Sequence, residues 1–186
     1  MTQPLVRHLP NLLSALRLAA APFAAWLILA GHDTAAFLVF TAAATSDALD
    51  GHVARRWGAA SRFGAWLDPA ADKLLMLLCF TALYNVHVTP GWLLALVVAR
   101  DAAIAAGWLL IRTLALPVEV RAMPIGKLST LAQAAYVLLA LFLLAFDIVV
   151  PRLLEMAAGL TGVLTLASGL AYAWLFLRSV LGRRAA

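Results

Sequence analysis

Six apolar runs separated by brief polar breaks constrain this chain more than any other feature. An α-helix rises about 1.5 Å per residue, so roughly 20 apolar residues cover the hydrocarbon of a bilayer. The runs predict helices at roughly 11–30, 35–57, 63–86, 91–114, 127–149 and 153–179, each close to that length. The breaks "GHDTA", "NVHVTPG", "LPVEVRAMPIG" and "DIVVP" supply the Gly, Pro, Asn or Asp that ends a helix. The run from Leu18 to Ala30 has the texture of a signal-peptide core. Arg17 interrupts its approach and similar runs follow it, so it is read as a retained first helix.

Of the 186 residues, 65% are hydrophobic and 12% charged, too little polar surface for a water-soluble globule. Short alternating segments of the kind a β-barrel needs are absent. The expected fold is therefore all-α, a polytopic membrane protein of six transmembrane helices in one domain over residues 1–186. In that layout Arg7, Arg55, Arg56, Arg62, Arg112, Arg121, Lys127, Arg178, Arg183 and Arg184 fall on one side and Arg152 on the other. Lys and Arg are retained on the cytoplasmic side, so both termini are expected there, in a bacterial cytoplasmic membrane. The net charge of +5 suits anionic headgroups, and no aromatic-basic module for nucleic acid is present. Residues 1–10 read as a mildly amphipathic segment at the headgroup surface. The lone Cys79 reads as apolar filler, His8, His32 and His87 as interfacial, and Trp26, Trp92 and Trp174 as anchoring or packing residues.

Against this background "SDALDGHVARRWGAASRFGAWLDPAADK", Ser46 to Lys73, holds four of the nine acidic residues. A charge in hydrocarbon costs at least about 2.5 kcal/mol, so four carboxylates near one another need compensation. Asp47 and Asp50 are three apart on one predicted helix, and Asp68 and Asp72 four apart on the next, so each pair shares a face. Two such faces make an oxygen cage, and oxygen-only donors favour Mg²⁺ or Mn²⁺ over zinc. His52 lies about 200° round the helix from Asp50 and points away from such a cage. Gly51, Ala54 and Gly64 are small enough to admit a ligand, and Arg55 stands one turn beyond Gly51. A metal cage beside a guanidinium suits a diphosphate. The plainer alternative is an acidic cluster paired with Arg55, Arg56, Arg62 and Lys73 to hold helices together.

The run Asp47-x2-Asp50-Gly51-x2-Ala54-Arg55-x8-Gly64-x3-Asp68-x3-Asp72 resembles the full signature of the CDP-alcohol phosphatidyltransferases. "LPNLLSALRLAAAP" is similar to that family's usual first helix and "GKLSTLAQ" to a common start of its fifth. The resemblance implies transfer of a phosphatidyl group from CDP-diacylglycerol to an alcohol, with release of CMP. It implies that Asp47, Asp50 and Asp68 bind a pair of Mg²⁺ or Mn²⁺ ions, and that Asp72 completes the metal site and deprotonates the attacking hydroxyl. Asp50, Gly51, Ala54, Arg55 and Gly64 would line the CDP and diphosphate site. A homodimer is common in the family and is expected.

The acceptor is sought in "VVARDAAIAAGWLLIRTLALPVEVRAMPIGKLSTLAQ", where Arg100 and Asp101 are mid-helix charges that need partners. Gluing helices together is the alternative use for such groups. Glycerol-phosphate-using members of the family typically carry Glu after this Arg and a second Arg two turns on. Here Asp101 and Trp108 stand at those places. "RDAAIAAGWLLIR" and "ASGLAYAWLFLRS" look more like the cardiolipin synthases of the family, which implies phosphatidylglycerol as acceptor and glycerol 3-phosphate as the alternative. Arg100, Asp101 and Lys127 are the acceptor-site candidates of this part of the chain; Thr130 and Gln133 accompany Lys127 without discriminating. Arg17, on the first helix, is a further candidate as a phosphate contact, or it snorkels to the surface. An ion or proton transporter is a more distant reading. The acids cluster at one end of two helices rather than crossing the membrane, and no pair of broken helices suggests alternating access.

Overall fold

In the computed structural model the backbone is described over residues 4–57, 64–113 and 123–181, and side chains over 15–46, 70–113 and 123–178. Six α-helices account for these residues: α1 (Pro4–Leu29), α2 (Asp33–Trp57), α3 (Gly64–Asn85), α4 (Gly91–Thr113), α5 (Pro124–Ala145) and α6 (Pro151–Leu181). No strand occurs among the described residues. The predicted helix order holds, with one clear difference in extent: α1 starts at Pro4, not after Pro10. Pro10 is the seventh residue of α1, where its missing N–H cannot serve the Val6 carbonyl. Pro22 is likewise accommodated inside α1, as proline can be within apolar helices whose neighbours satisfy the freed carbonyl.

Helix starts follow a common rule. Proline is the first residue of α1, α5 and α6, where its fixed φ is already helical and its missing N–H is not needed. Pro90 immediately precedes α4, and its carbonyl accepts from the Leu93 N–H at 3.0 Å. At α2 the first turn carries Asp33, whose charge suits the positive end of the helix dipole.

The ends of α1, α3 and α5 close alike. After α1 the Gly31 N–H donates to Ile28 and the His32 N–H to Leu27; after α3 the His87 N–H donates to Tyr84 and the Val88 N–H to Leu83. After α5 the Asp147 N–H donates to Leu144 and the Ile148 N–H to Leu143. Each is a Schellman closure, which needs a left-handed residue just past the helix. Gly31, His87 and Asp147 fill that place with φ of 73°, 60° and 53°.

Three helices among the described residues are long and apolar enough to cross a membrane: α4 with 23 residues, α5 with 22, and α6 over Pro151–Arg178 with 28. The described apolar part of α1, Ala15–Leu29, is shorter. At about 1.5 Å per residue α4 reaches roughly 34 Å, enough for a hydrocarbon core of about 30 Å. Leu131, Val163, Leu170 and Trp174 are exposed, which in water would be costly and in lipid is not. The chain is an integral membrane protein.

The chain forms two compact units, one of Met1–Val88 with Val137–Val150, the other of Thr89–Tyr136 with Pro151–Ala186. In the first unit α1 packs on both α2 and α3. Small residues allow the approach, Ala21, Ala24, Ala36 and Ala71 being fully buried beside Phe40, Phe80 and Leu83. Cys79 is buried there too, consistent with apolar filling. Hydroxyls of α2 on the way to the acids are satisfied within their own helix: Thr41 donates to Phe37 O and Ser46 to Ala42 O, both at 2.7 Å. In the second unit α4 packs on α6, and the close approach uses glycine. A Cβ at Gly107 would run into the Phe176 ring, and one at Gly162 would lie 2.6 Å from Trp92.

Candidate functional site

The backbone keeps Asp47 and Asp50 one turn apart on α2, and Asp68 and Asp72 one turn apart on α3. Gly51, Ala54 and Arg55 follow on α2, and Gly64 is the first residue of α3. The side chains of Asp47, Asp50, His52, Ala54, Arg55 and Asp68 lie outside the described residues, as does the segment 58–63 with Arg62. Of the four acids, Asp72 is therefore the one whose surroundings are in view.

Asp72 meets Arg17. The Arg17 Nη1 donates to Asp72 Oδ1 at 3.0 Å, joining α1 to α3 across 55 positions of sequence. The Arg17 side chain is 2% exposed and that of Asp72 42%. The guanidinium end of the pair is thus buried while the carboxylate end is partly exposed. Arg17 does not snorkel away from the packed helices: it belongs with the fourth acid. A guanidinium hydrogen-bonded to a carboxylate fixes the direction in which its oxygens point.

A divalent ion fits the chemistry of the donor set: four carboxylates at helical spacing on two helices that both pack on α1, all of them hard oxygen donors. Among the described residues no group of three His, Cys, Asp or Glu assembles; the side chains of Asp47, Asp50 and Asp68 lie outside them.

The second unit builds a different polar centre around Arg100, which is 7% exposed within an apolar helix. Its Nε and Nη2 donate to the Ser168 hydroxyl of α6 at 3.2 and 2.9 Å. Nη2 also donates to the Gly126 carbonyl of α5 at 3.4 Å. Nη1 donates to Asp101 Oδ1 at 2.7 Å. The guanidinium carbon stands 5.9 Å from the centre of the Tyr172 ring, a cation–π distance. The Tyr172 hydroxyl in turn accepts from the Met123 N–H at 3.3 Å, just ahead of α5.

A further seam joins α5 to α6. Gln133 Nε2 donates to the Thr165 hydroxyl at 3.1 Å, and the Ser129 hydroxyl donates to the same oxygen at 3.3 Å. Thr130, by contrast, donates to the Gly126 carbonyl of its own helix, and Lys127 is exposed. Trp108 is also exposed, with the Arg112 guanidinium 5.1 Å above its ring.

The structure thus brings Arg17 to Asp72 in one unit, and Arg100, Asp101 and the Gly126 carbonyl together in the other. Sequence reasoning did not single out Ser168 or Tyr172. The signal was present in "ASGLAYAW", where Ser168, Gly169 and Tyr172 interrupt an apolar helix at one-turn spacing, the pattern of a face turned inward.

The family model for CDP-alcohol phosphatidyltransferase matches residues 7–178 of the chain. A cardiolipin synthase (CMP-forming) of Streptomyces coelicolor is 42% identical over 103 residues, 52% of this chain and 48% of that protein. A probable cardiolipin synthase (CMP-forming) of Drosophila melanogaster is 37% identical over 113 residues, 60% of this chain and 35% of that protein. A CDP-diacylglycerol–glycerol-3-phosphate 3-phosphatidyltransferase of Escherichia coli K12 is 36% identical over 132 residues, 68% of this chain and 72% of that protein. The matches span between a third and a half of the two cardiolipin synthases.

Proposed function

The chain belongs to the CDP-alcohol phosphatidyltransferase family, and we propose that it moves the phosphatidyl group of CDP-diacylglycerol to phosphatidylglycerol, releasing CMP. The oxygen of the acceptor hydroxyl forms a bond to the lipid-side phosphorus of the diphosphate. The bond from that phosphorus to the CMP oxygen breaks, and CMP leaves with the bonding pair. Asp72 takes the hydroxyl proton, held for that task by Arg17 at 3.0 Å. The attack is direct, without a covalent enzyme intermediate; isolation of a phosphatidylated chain after mixing with CDP-diacylglycerol alone would rule this out.

Asp47, Asp50, Asp68 and Asp72 would hold Mg²⁺ or Mn²⁺, with two ions expected. Such ions, when bound, neutralise charge on the diphosphate and on the departing phosphate. Gly51, Ala54 and Gly64 leave room for the nucleotide, and Arg55 supplies a guanidinium to the diphosphate. The six helices are taken to span a membrane with both termini and the acids on the cytoplasmic side, in a homodimer.

The observation that carries the acceptor is the fate of Arg100. Its charge is answered by Asp101 at 2.7 Å, and its other edge is given to Ser168 and Gly126. A cation so neutralised suits the hydroxyls of a glycerol headgroup better than a phosphate dianion, which calls for an uncommitted fork of donors. Trp108 in place of a second cation points the same way.

Glycerol 3-phosphate is the competing acceptor, favoured by the Escherichia coli relative, whose match covers the larger share of both chains. Purified protein given CDP-diacylglycerol and Mn²⁺ or Mg²⁺ is expected to release CMP with phosphatidylglycerol. Efficient release with glycerol 3-phosphate alone would transfer the assignment to the competing acceptor. Release with neither would remove both.

A further inference from the structure

Within the second unit α4 and α6 run side by side in the same direction. A Cβ added at Gly162 would meet Trp92, one at Gly169 the Arg100 side chain, and one at Gly107 the Phe176 ring. Moving forward along α6 therefore moves forward along α4 in an almost constant register. The two helices also end alike: α4 carries Trp108 and Arg112, and α6 carries Trp174 and Arg178, each Arg four residues after its Trp and in the last turn. In the register set by Gly107 and Phe176, the two Trp residues lie within about one turn, about 5 Å, of the same depth.

That depth has a physical meaning. From Trp92 to Arg112 α4 rises roughly 30 Å, the thickness of a hydrocarbon core. Tryptophan collects where hydrocarbon meets headgroups, and arginine reaches past it to the phosphates. Trp92, Trp108 and Trp174 are all exposed. This end of the pair thus lies at a headgroup plane, and two helices agree on it.

At that plane the two arginines differ. Arg112 is exposed, with its guanidinium carbon 5.1 Å from the centre of the Trp108 ring. Among the described residues it makes no hydrogen bond and no ion pair. The ring restrains the guanidinium and leaves its N–H donors unused, which is the uncommitted fork that phosphate oxygens call for. Leu109, 56% exposed, stands three residues before Arg112 on the same face. Arg178 is exposed too, but its guanidinium is held over no ring among the described residues.

We propose that Arg112 on its Trp108 platform is a docking site for an anionic phospholipid of the surrounding bilayer, the guanidinium taking the lipid phosphate and Leu109 lying against an acyl chain. Charge complementarity selects the occupant. Among the described residues no acid offsets Arg112, and the whole chain carries +5, so a lipid of net negative charge is preferred to a zwitterionic one, whose own cation competes for the phosphate. The site lies on α4 alone and is independent of which acceptor receives the phosphatidyl group.

An arginine in a last helical turn has a simpler use, since it suits the negative end of the helix dipole and reaches water. That use needs neither Trp108 nor a particular lipid. Native mass spectrometry of the purified full chain, given equimolar phosphatidylserine and phosphatidylcholine, separates the two. Phosphatidylserine is neither the donor nor an acceptor considered above. The wild-type chain should retain it in excess. Arg112→Gln should lower the ratio of bound phosphatidylserine to phosphatidylcholine about tenfold, the scale of one charge-assisted hydrogen bond. Trp108→Leu should lower it about threefold, because the charge stays while its platform goes. Arg178→Gln, which removes an equal charge at the same depth without a ring, should leave the ratio close to wild type.

No preference in the wild type, an unchanged ratio in Arg112→Gln or in Trp108→Leu, or an equal fall in Arg178→Gln overturns the proposal and leaves Arg112 as a helix-end charge. Displacement of phosphatidylserine by an equal concentration of inorganic phosphate also overturns it, the ligand then being a free anion. If Arg112→Gln is not recovered folded, Trp108→Leu against Arg178→Gln decides.

Discussion

Asp72 meets a partner far along the chain: its side chain is 42% exposed and that of Arg17, which donates to it, 2% exposed. Asp72→Asn should lower turnover at least about 100-fold, because an amide does not take the proton. The amide oxygen still accepts from Arg17, so the variant should stay folded, with a melting temperature close to wild type. Wild-type rates in that variant would end the assignment of Asp72 as base. His87 offers a test of a different kind. It sits at φ 60° where the closure of α3 needs a left-handed residue, and a side chain there costs about 1 kcal/mol or more. His87→Gly should raise stability by roughly 0.5–1 kcal/mol, allowing for the added freedom of glycine in the unfolded chain, measured by thermal unfolding in detergent with activity unchanged.

Among the elements, α5 and α6 are joined by hydroxyls and an amide where a soluble protein would use leucine. Gln133 is 1% exposed and reaches Thr165 at 3.1 Å. Hydrogen bonds between membrane helices average only about 0.6 kcal/mol, so most of what Gln133 contributes should be volume. Gln133→Leu is accordingly expected to cost under about 1 kcal/mol and Gln133→Ala about 2 kcal/mol or more, the difference being the cavity. Equal losses in the two, by denaturant or thermal unfolding in one detergent, would show that the hydrogen bond dominates. The helices themselves were legible in advance because their extents depend on local chemistry: apolar length, proline at the starts, and Gly or Asp at the ends. The start of α1 differs because Pro10 looks like a boundary in sequence, while the helix continues through it to Pro4.

For the whole molecule, removing divalent ions with a chelator should abolish CMP release, and Mn²⁺ or Mg²⁺ should restore it, whereas the helical circular dichroism should persist. The helices are formed by backbone bonds and lipid, and in the proposed site the ions would answer only the charge of the acids. Full activity in the chelator would remove the metal from the proposal. The amino-acid sequence by itself determined that this is a helical membrane protein and that Asp47 with Asp50, and Asp68 with Asp72, stand one turn apart, because hydrophobic length and i, i+3 or i, i+4 spacing act within single helices. Only the tertiary structure decided that Arg17 meets Asp72 and that Arg100 meets Ser168. Those contacts span 55 and 68 positions, and which buried charge meets which partner depends on how helices pack, not on the spacing within any one of them.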